Sequence, residues 1–326
     1  MIRYAREEDI NGVMSFIDTY WRKGHILGNN IEFFRYEHLL DEGLTYVISE
    51  TESGHINAIL GYIPYGKENR DVMTVMWMAN HTAEPSLGIE LFNFLKDSGN
   101  VRIMASPGSN KKLRGLYNYL GYQFGKMTQW YRLNGDKRAF DVAIIDDGDI
   151  PKVSGEIKYT LYVSWDHLES EFDFEKYKKL EPKPYKEKWY IKKRYFDHPI
   201  YDYKVYGLKG CSKKSELLMV FREIKVNNAK VIRLLDCIGN YSLICKTTKL
   251  IDSLLVDSGA EYVDCYETGL DDKVFTESGW RKTEDTNNII PNYFAPFTQE
   301  NIDIFYFSTD PDVVLFKADG DQDRPN

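Results

Sequence analysis

Cysteine is scarce in this chain of 326 residues: there are four, Cys211, Cys237, Cys245 and Cys265, and all lie in the second half. No two make a CxxC pair, which argues against a zinc ribbon or a dithiol redox motif; free, mostly buried thiols in a cytoplasmic protein are the expectation. Long hydrophobic runs are missing too. None approaches the roughly 18 apolar residues of a membrane span, and the N-terminus lacks the basic-then-apolar layout of a signal peptide. Basic residues are outnumbered, 42 against 50 acidic ones, for a net charge of −8. That balance argues against general nucleic-acid binding but leaves room for an anionic small molecule, which needs only a local cluster of donors. Histidines are few, and His38, His55, His81 and His167 show no ligand-like spacing, so no metal is expected.

What the chain does have is length for about two domains, each able to bury its own core. It also has an ordinary globular composition, 43% apolar and 28% charged, with 24 tyrosines and 6 tryptophans for cores or a ligand groove. And it repeats itself. Leu91-Phe-Asn-Phe-Leu95 leads to Ser98-Gly99 and a β-like run Val101–Ala105, while Ile251-Asp-Ser-Leu-Leu255 leads to Ser258-Gly259 and Tyr262-Val-Asp-Cys265. The two Ser-Gly pairs lie 160 residues apart, and Gly121-Tyr122 is matched by Gly279-Trp280 at an offset of 158. Two similar halves explain this spacing. The differences are informative: Tyr117 in the first half becomes Phe275, which has no proton to give, and Ser86-Leu-Gly88 becomes Lys246-Thr-Thr248. One half reads as competent for chemistry and the other as a retired copy.

The spacing predicts a helix over Asp9–Tyr20 with Ile10, Val13, Met14 and Ile17 inward, followed by an aromatic segment Trp21–Leu40. Strands are expected at Tyr46–Glu50, Ala58–Pro64 and Val72–Asn80, with turns at Glu52-Ser-Gly54 and Lys67-Glu-Asn69. A helix over Pro85–Ser98, a strand Val101–Ala105, a helix through Tyr117 and a strand Lys126–Leu133 complete the first half. The Tyr117 helix carries Leu113, Leu116, Tyr117 and Leu120 on one face, with Gly121 as a left-handed cap. On spacing alone it is a buried amphipathic helix as readily as a site. Strands near Leu217–Val226, Lys230–Cys237 and Tyr262–Glu267 repeat the scheme. The order predicts an α/β (α+β) fold of two tandem domains with mixed central sheets: residues 1–150, a linker 151–184, and residues 185–326. The tail from Phe316 is polar enough to be disordered in isolation.

Strand Val72–Asn80, the turn Ala83-Glu-Pro-Ser86-Leu-Gly88 and the Asn110…Tyr117…Gly121-Tyr122 helix resemble the core motifs of the GNAT acyltransferases. The resemblance implies two GNAT-like domains, the first binding acyl-coenzyme A and the second degenerate and contributing to a substrate crevice. It implies acyl-coenzyme A as donor, its pyrophosphate held at a helix N-terminus, where unpaired N–H groups and the helix dipole favour an anion. In the family that turn reads Arg/Gln-x-x-Gly-x-Gly/Ala; here Ala83 replaces the charged residue and Ser86 the first glycine, while Gly88 fits. Ser86, Leu87 and Gly88 are thereby the phosphate turn, with Asn110 and Lys111 also at the cofactor; Lys111, Lys112 and Arg114 supplement the phosphate donors or form a solvated helix face, and Met78, Ala79 and Asn80 line the thioester arm. Tyr117 would then protonate the departing sulfur, and a backbone N–H near Met78 or Ala79 would hold the oxyanion.

A narrower resemblance rests on Trp21-x-x-x-His25-Ile-Leu with Phe33 to Tyr36, on Arg194-Tyr-x-x-His198-Pro-x-Tyr201, and on the Asp319…Asp323-Arg324-Pro tail. These look like bacterial sugar N-acyltransferases of surface-polysaccharide assembly. They imply transfer of an acetyl or 3-hydroxybutyryl group to the amine of a nucleotide-linked, dTDP-type amino sugar. On that reading Trp21, Phe33 and Tyr36 stack on the base, Arg194 or Arg324 clamps the diphosphate, and Asp319 and Asp321 hold sugar hydroxyls or the amine. For the aromatics, core packing is the rival reading; for the tail acids, solvent exposure. His25 is the candidate proton acceptor, since an unperturbed pKa near 6.5 suits the task; its rival role is packing or substrate positioning. Two other functions stay open: a peptidoglycan-bridge-like aminoacyl transferase, against which the acidic balance counts, and a catalytically inactive ligand-binding module. A homodimer is an open alternative to a monomer.

Overall fold

The computed structural model describes every residue except Glu42, Glu68, Asn69, Thr82 and Asn326, so the turn expected at Lys67–Asn69 lies partly outside the described residues. Fifteen strands matter for the site. In the first half they are β1 (Ile2–Tyr4), β2 (Tyr46–Glu50), β3 (Ile56–Pro64), β4 (Asp71–Ala79), β5 (Ile103–Pro107), β6 (Gln123–Lys126) and β7 (Thr128–Leu133). In the second they are β8 (Lys158–Tyr162), β9 (Lys204–Lys209), β10 (Leu217–Val226), β11 (Ala229–Gly239), β12 (Tyr262–Thr268), β13 (Arg281–Lys282), β14 (Phe305–Ser308) and β15 (Leu315–Phe316). They build two mixed sheets, with order β1-β2-β3-β4-β5-β14-β6 and order β8-β9-β10-β11-β12-β7-β13, the short β15 adding to β12. In each sheet one central pair is parallel, β4 with β5 and β11 with β12.

The run expected as one strand over Lys126–Leu133 is broken at Met127, whose N–H donates to Ile304 O at 2.8 Å. Beyond the break the chain leaves the first sheet, and β7 pairs with β12 and β13 in the second. The debt is returned near the C-terminus, where β14 inserts between β5 and β6. Each sheet thus takes one strand from the other half of the sequence.

The repeat read from the sequence is a repeat of this arrangement. Phe307 of β14 pairs with Ser106 of β5, and Trp130 of β7 with Cys265 of β12. Tyr117 stacks on Phe307 with ring centroids 4.3 Å apart, and Phe275 stacks on Trp130 at 5.0 Å. Both helices stop on a left-handed glycine, Gly121 at φ 75° and Gly279 at φ 80°. Both stops are closed by the same bond, Tyr122 N–H to Tyr117 O at 2.9 Å and Trp280 N–H to Phe275 O at 3.1 Å.

Each sheet is buried on both faces. In the first lobe the helix Ile10–Phe16, which widens into the turn Ile17–Trp21, buries Ile10, Val13, Met14 and Ile17 with the helix Ile31–His38 on one face. The helix Leu87–Ser98 buries Leu87, Leu91, Phe92 and Leu95 on the other face, together with Tyr117. In the second lobe the helix Thr248–Ser258 covers one face, and helices Trp165–Glu171, Phe174–Lys179 and Lys188–Tyr195 the other. Cys237 and Cys265 are buried in the second core. Among the described residues no helix is long and apolar enough to cross a membrane.

Candidate active site

Parallel strands β4 and β5 stay in register only from Asp71 opposite Ile103 to Met73 opposite Ala105. Ser106 Oγ then donates to Thr74 O at 2.9 Å, and beyond this bond the strands part. Just past the parting β4 bulges: Val75 faces Gly61 and Met78 faces Ile59, so Met76 and Trp77 together oppose the single residue Leu60. Met76 takes up the extra length with φ 48°, a conformation that side chains other than glycine adopt only under constraint. A bulge leaves local ladder groups unpaired, and here it does so beside a cleft.

That cleft is a cavity of about 190 Å³. Its walls are Thr74 to Trp77 from β4, Ser106 and Gly108 at the end of β5, Ser109 and Asn110 from the next turn, Tyr117, and Asp321 from the tail. Tyr117 is 3% exposed. Burial pushes its phenol pKa up, with a hydrogen bond to Ser109 acting against that, so the group is a neutral O–H donor. A second, smaller cavity of about 60 Å³ adjoins the first and is lined by His25, Leu27, Phe33, Ile63 and Arg324 among others. Trp21, Val75, Met76 and Asp321 line both.

The second lobe keeps the framework and closes it. β11 bulges at Leu235, between the pairs Phe221–Leu234 and Val220–Asp236. Here, however, Leu315 and Phe316 pair with Thr268 and Glu267 of β12, and the buried residues Lys317, Ala318 and Asp319 follow them into the gap. Asp319 and Asp236 both reach Lys186 Nζ, at 2.8 and 2.6 Å. The chain's own tail occupies the place that is open in the first lobe.

The residues expected at the site divide accordingly. Tyr117, Asn110, Trp21 and Asp321 line the larger cavity and Trp21, His25, Phe33, Asp321 and Arg324 the smaller. Met78 and Ala79 lie past the bulge, back in register with Ile59 and Ala58, and the Asn80 amide is spent on Asn57 O at 2.9 Å. The residues that face the cleft instead are Val75, Met76 and Trp77; a bulge has no sequence mark, because it depends on how two strands align. Ser86, Leu87 and Gly88 open the helix Leu87–Ser98, whose first turn is tied to the cleft wall by Trp77 Nε1 donating to Gly88 O at 3.0 Å. Lys111 Nζ stands 5.2 Å over the Phe305 ring, next to Asn110, which caps its own turn by accepting Lys112 N–H.

His25 does not have the lone pair that a proton acceptor needs. Its Nδ1 accepts the Leu27 N–H at 3.2 Å and caps the turn Ile26–Asn29, and burial, with the charge of Arg22, lowers its pKa to about 4. Such a ring is neutral and presents Nε2–H, a donor. Arg194 is buried and spent on the tail, donating to Tyr203 OH at 2.6 Å and to Asp323 O at 2.9 Å. Arg324 is paired with Glu37, and Asp319 with Lys186. Arg194 faces the tail and not either cavity, while Arg324, though paired with Glu37, lines the smaller cavity with an Nε that has no hydrogen-bond partner among the described residues. Tyr36 donates its hydroxyl to Lys193 O and lines a separate open groove of about 470 Å³ with Arg35, Lys67, Trp189, Lys192 and Lys193. Lys193 Nζ lies 5.3 Å from the Tyr36 ring and 5.1 Å from the Trp189 ring.

No protein-family model and no curated protein matches the sequence. Solved structures do match the fold. A GCN5-related N-acetyltransferase from Anabaena variabilis superposes with a TM-score of 0.59 over 94% of this chain and 72% of that one, at 10% identity. A conserved Enterococcus faecalis protein of unknown function, a probable N-acyltransferase, gives a TM-score of 0.55 over 94% of this chain and 71% of that one, also at 10% identity. The fold is a GNAT fold. At this identity the likeness concerns architecture, and it extends over both lobes.

Proposed function

We propose that this chain is an acyl-coenzyme A-dependent N-acyltransferase that moves an acetyl or 3-hydroxybutyryl group to the amine of a nucleotide-linked, dTDP-type amino sugar in bacterial surface-polysaccharide assembly. One observation carries the reading: a neutral buried phenol and a bulged strand face each other across a cleft that is open in the first lobe and plugged in the second. The helix Leu87–Ser98 starts beside the Trp77 wall of that cleft; its Leu87 and Glu90 N–H groups donate to Glu84 O and Ser86 O, which leaves those of Gly88 and Ile89 to meet a pyrophosphate. The groove between Tyr36 and Trp189 offers stacking faces for a base, and a diphosphate there would draw Arg35, Lys67 and Lys192 from their exposed partners Glu7, Asp41 and Asp197.

In this reading the thioester carbonyl sits at the β4 bulge, where the Met76 and Trp77 amides supply the oxyanion donors. Losing one such donor typically costs about 100- to 1000-fold. The neutral amine attacks the carbonyl carbon; the C–N bond forms, the carbonyl pair moves to oxygen, and collapse breaks the C–S bond. A sugar amine resembles an α-amino group, with a pKa of roughly 7.7–8.0, so much of it is already neutral near pH 7.5. The sulfur leaves as thiolate with Tyr117 O–H as its hydrogen-bond donor. The raised phenol pKa favours donation over complete transfer, since a free thiol itself titrates near roughly 8.5. The test is coenzyme A release by the purified chain over a panel of nucleotide amino sugars with acetyl- and 3-hydroxybutyryl-coenzyme A. Amine-dependent release supports the reading; release with none of the amines removes it.

A further inference from the structure

We infer that Asp321 is the group that takes the proton from the attacking amine. This rests on the acyl-transfer reading above and assigns the role that His25 cannot fill. Four residues line both cavities, Trp21, Val75, Met76 and Asp321, and of these only Asp321 has an ionisable side chain. A nucleophile in the smaller cavity that attacks a thioester at the β4 bulge passes this boundary.

The carboxylate is held in place and is not neutralised. Asp321 opens a short turn closed by Arg324 N–H to Asp321 O at 3.1 Å. Two residues on, Asp323 is clamped by Arg194 and Arg222, and Gln322 accepts from Tyr293 OH at 2.8 Å. Asp321 Oδ1 lies against Gly108, 2.9 Å from where a β-carbon there would stand, which places it at the end of β5 inside the cleft. Its side-chain partner among the described residues is the Gln322 amide at 3.4 Å, a weak bond.

The other groups facing this boundary are committed elsewhere. Arg324 is drawn to Glu37, and the His25 lone pair caps a turn. His38 is bonded to Thr45 Oγ1 and Tyr46 OH, Arg22 carries only donors, and Tyr117 is a neutral phenol that already holds its own proton. Burial raises the Asp321 pKa, with Gln322 and Arg324 acting against it, so the carboxylate is a better base than an exposed aspartate. The step balances without another reactant. The N–H proton passes to Asp321 Oδ as the C–N bond completes, the C–S pair leaves on sulfur, and the carboxyl returns its proton to solvent.

The test compares the wild type, Asp321→Asn and Asp321→Glu, using acetyl-coenzyme A and a dTDP-linked aminodideoxyhexose as probes. It measures kcat and KM from pH 5 to 9, acetyl-coenzyme A affinity by calorimetry, and folding by circular dichroism. Asp321→Asn is expected to lower kcat by about 100- to 10,000-fold and to abolish the rise of kcat with pH on the acid side, leaving acetyl-coenzyme A affinity unchanged. Asp321→Glu is expected to retain that rise with partial activity. An Asp321→Asn variant whose kcat stays within about threefold, or which changes KM alone, overturns the assignment while leaving acyl transfer standing. A folded wild type that neither binds acetyl-coenzyme A nor releases the thiol overturns both.

Discussion

Tyr117 and Phe275 occupy equivalent positions, each four residues before a left-handed glycine and each stacked on an aromatic of an exchanged strand. A hydroxyl is the difference between them. Tyr117→Phe keeps the ring contact and removes the donor to sulfur, so kcat should fall by about 100-fold with acetyl-coenzyme A affinity unchanged; steady-state kinetics with calorimetry would show it. His25 makes a different prediction. Its pKa is about 4 folded and 6.5 unfolded, so between those values the unfolded chain binds more protons and stability falls as pH drops. The slope approaches about 1.4 kcal/mol per pH unit, and His198, at about 3, adds to it in the same direction. Thermal melts from pH 7 to 4.5 should show the decline, and His25→Asn should flatten it. Tyr117 was legible because a chemical difference stood out against a repeat. The roles of His25 and Arg194 were not, because side-chain type does not reveal which neighbour has already claimed its lone pair or its N–H groups.

At the scale of elements, apolar periodicity located most helices and strands to within a few residues. It ran Lys126, the last residue of β6, straight into β7 and left the rest of β6 unread, since the break at Met127 needs only one backbone bond to Ile304 and leaves the period-two pattern nearly continuous. The two helix-ending glycines give a paired prediction. An alanine β-carbon at Gly121 would meet nothing within 4 Å, so Gly121→Ala should cost only the left-handed conformation, about 1–2 kcal/mol. At Gly279 the same β-carbon would lie 2.3 Å from Arg132 Nη1 and 2.7 Å from Val153 Cγ2. Arg132 also bonds Gly279 O at 2.8 Å and reaches the half-exposed Asp252, so Gly279→Ala disturbs the partners of a buried arginine as well. Differential scanning calorimetry should show the larger fall in Tm for Gly279→Ala.

The whole molecule is two lobes that share strands. The repeat gave the kinship of the halves, but the reciprocal transfer of β7 and β14 could not be read from it, because both strands have ordinary strand composition and only tertiary pairing decides their sheet. A chain ending at residue 299 should lose β14, expose the edges of β5 and β6, and aggregate, which size-exclusion chromatography of the expressed fragment would reveal. The plug of the second lobe depends on Lys186 between Asp236 and Asp319; Lys186→Met strands two buried carboxylates and should cost about 3–5 kcal/mol in denaturant melts. The asymmetry of the lobes is the central claim, and a crystal structure with a non-hydrolysable thioether analogue of acetyl-coenzyme A tests it most directly. The account predicts the analogue between β4 and β5 of the first sheet, its sulfur within hydrogen-bond reach of the Tyr117 hydroxyl and its carbonyl at Met76–Trp77. An analogue seated in the second lobe, or one whose sulfur lies away from Tyr117, would contradict it.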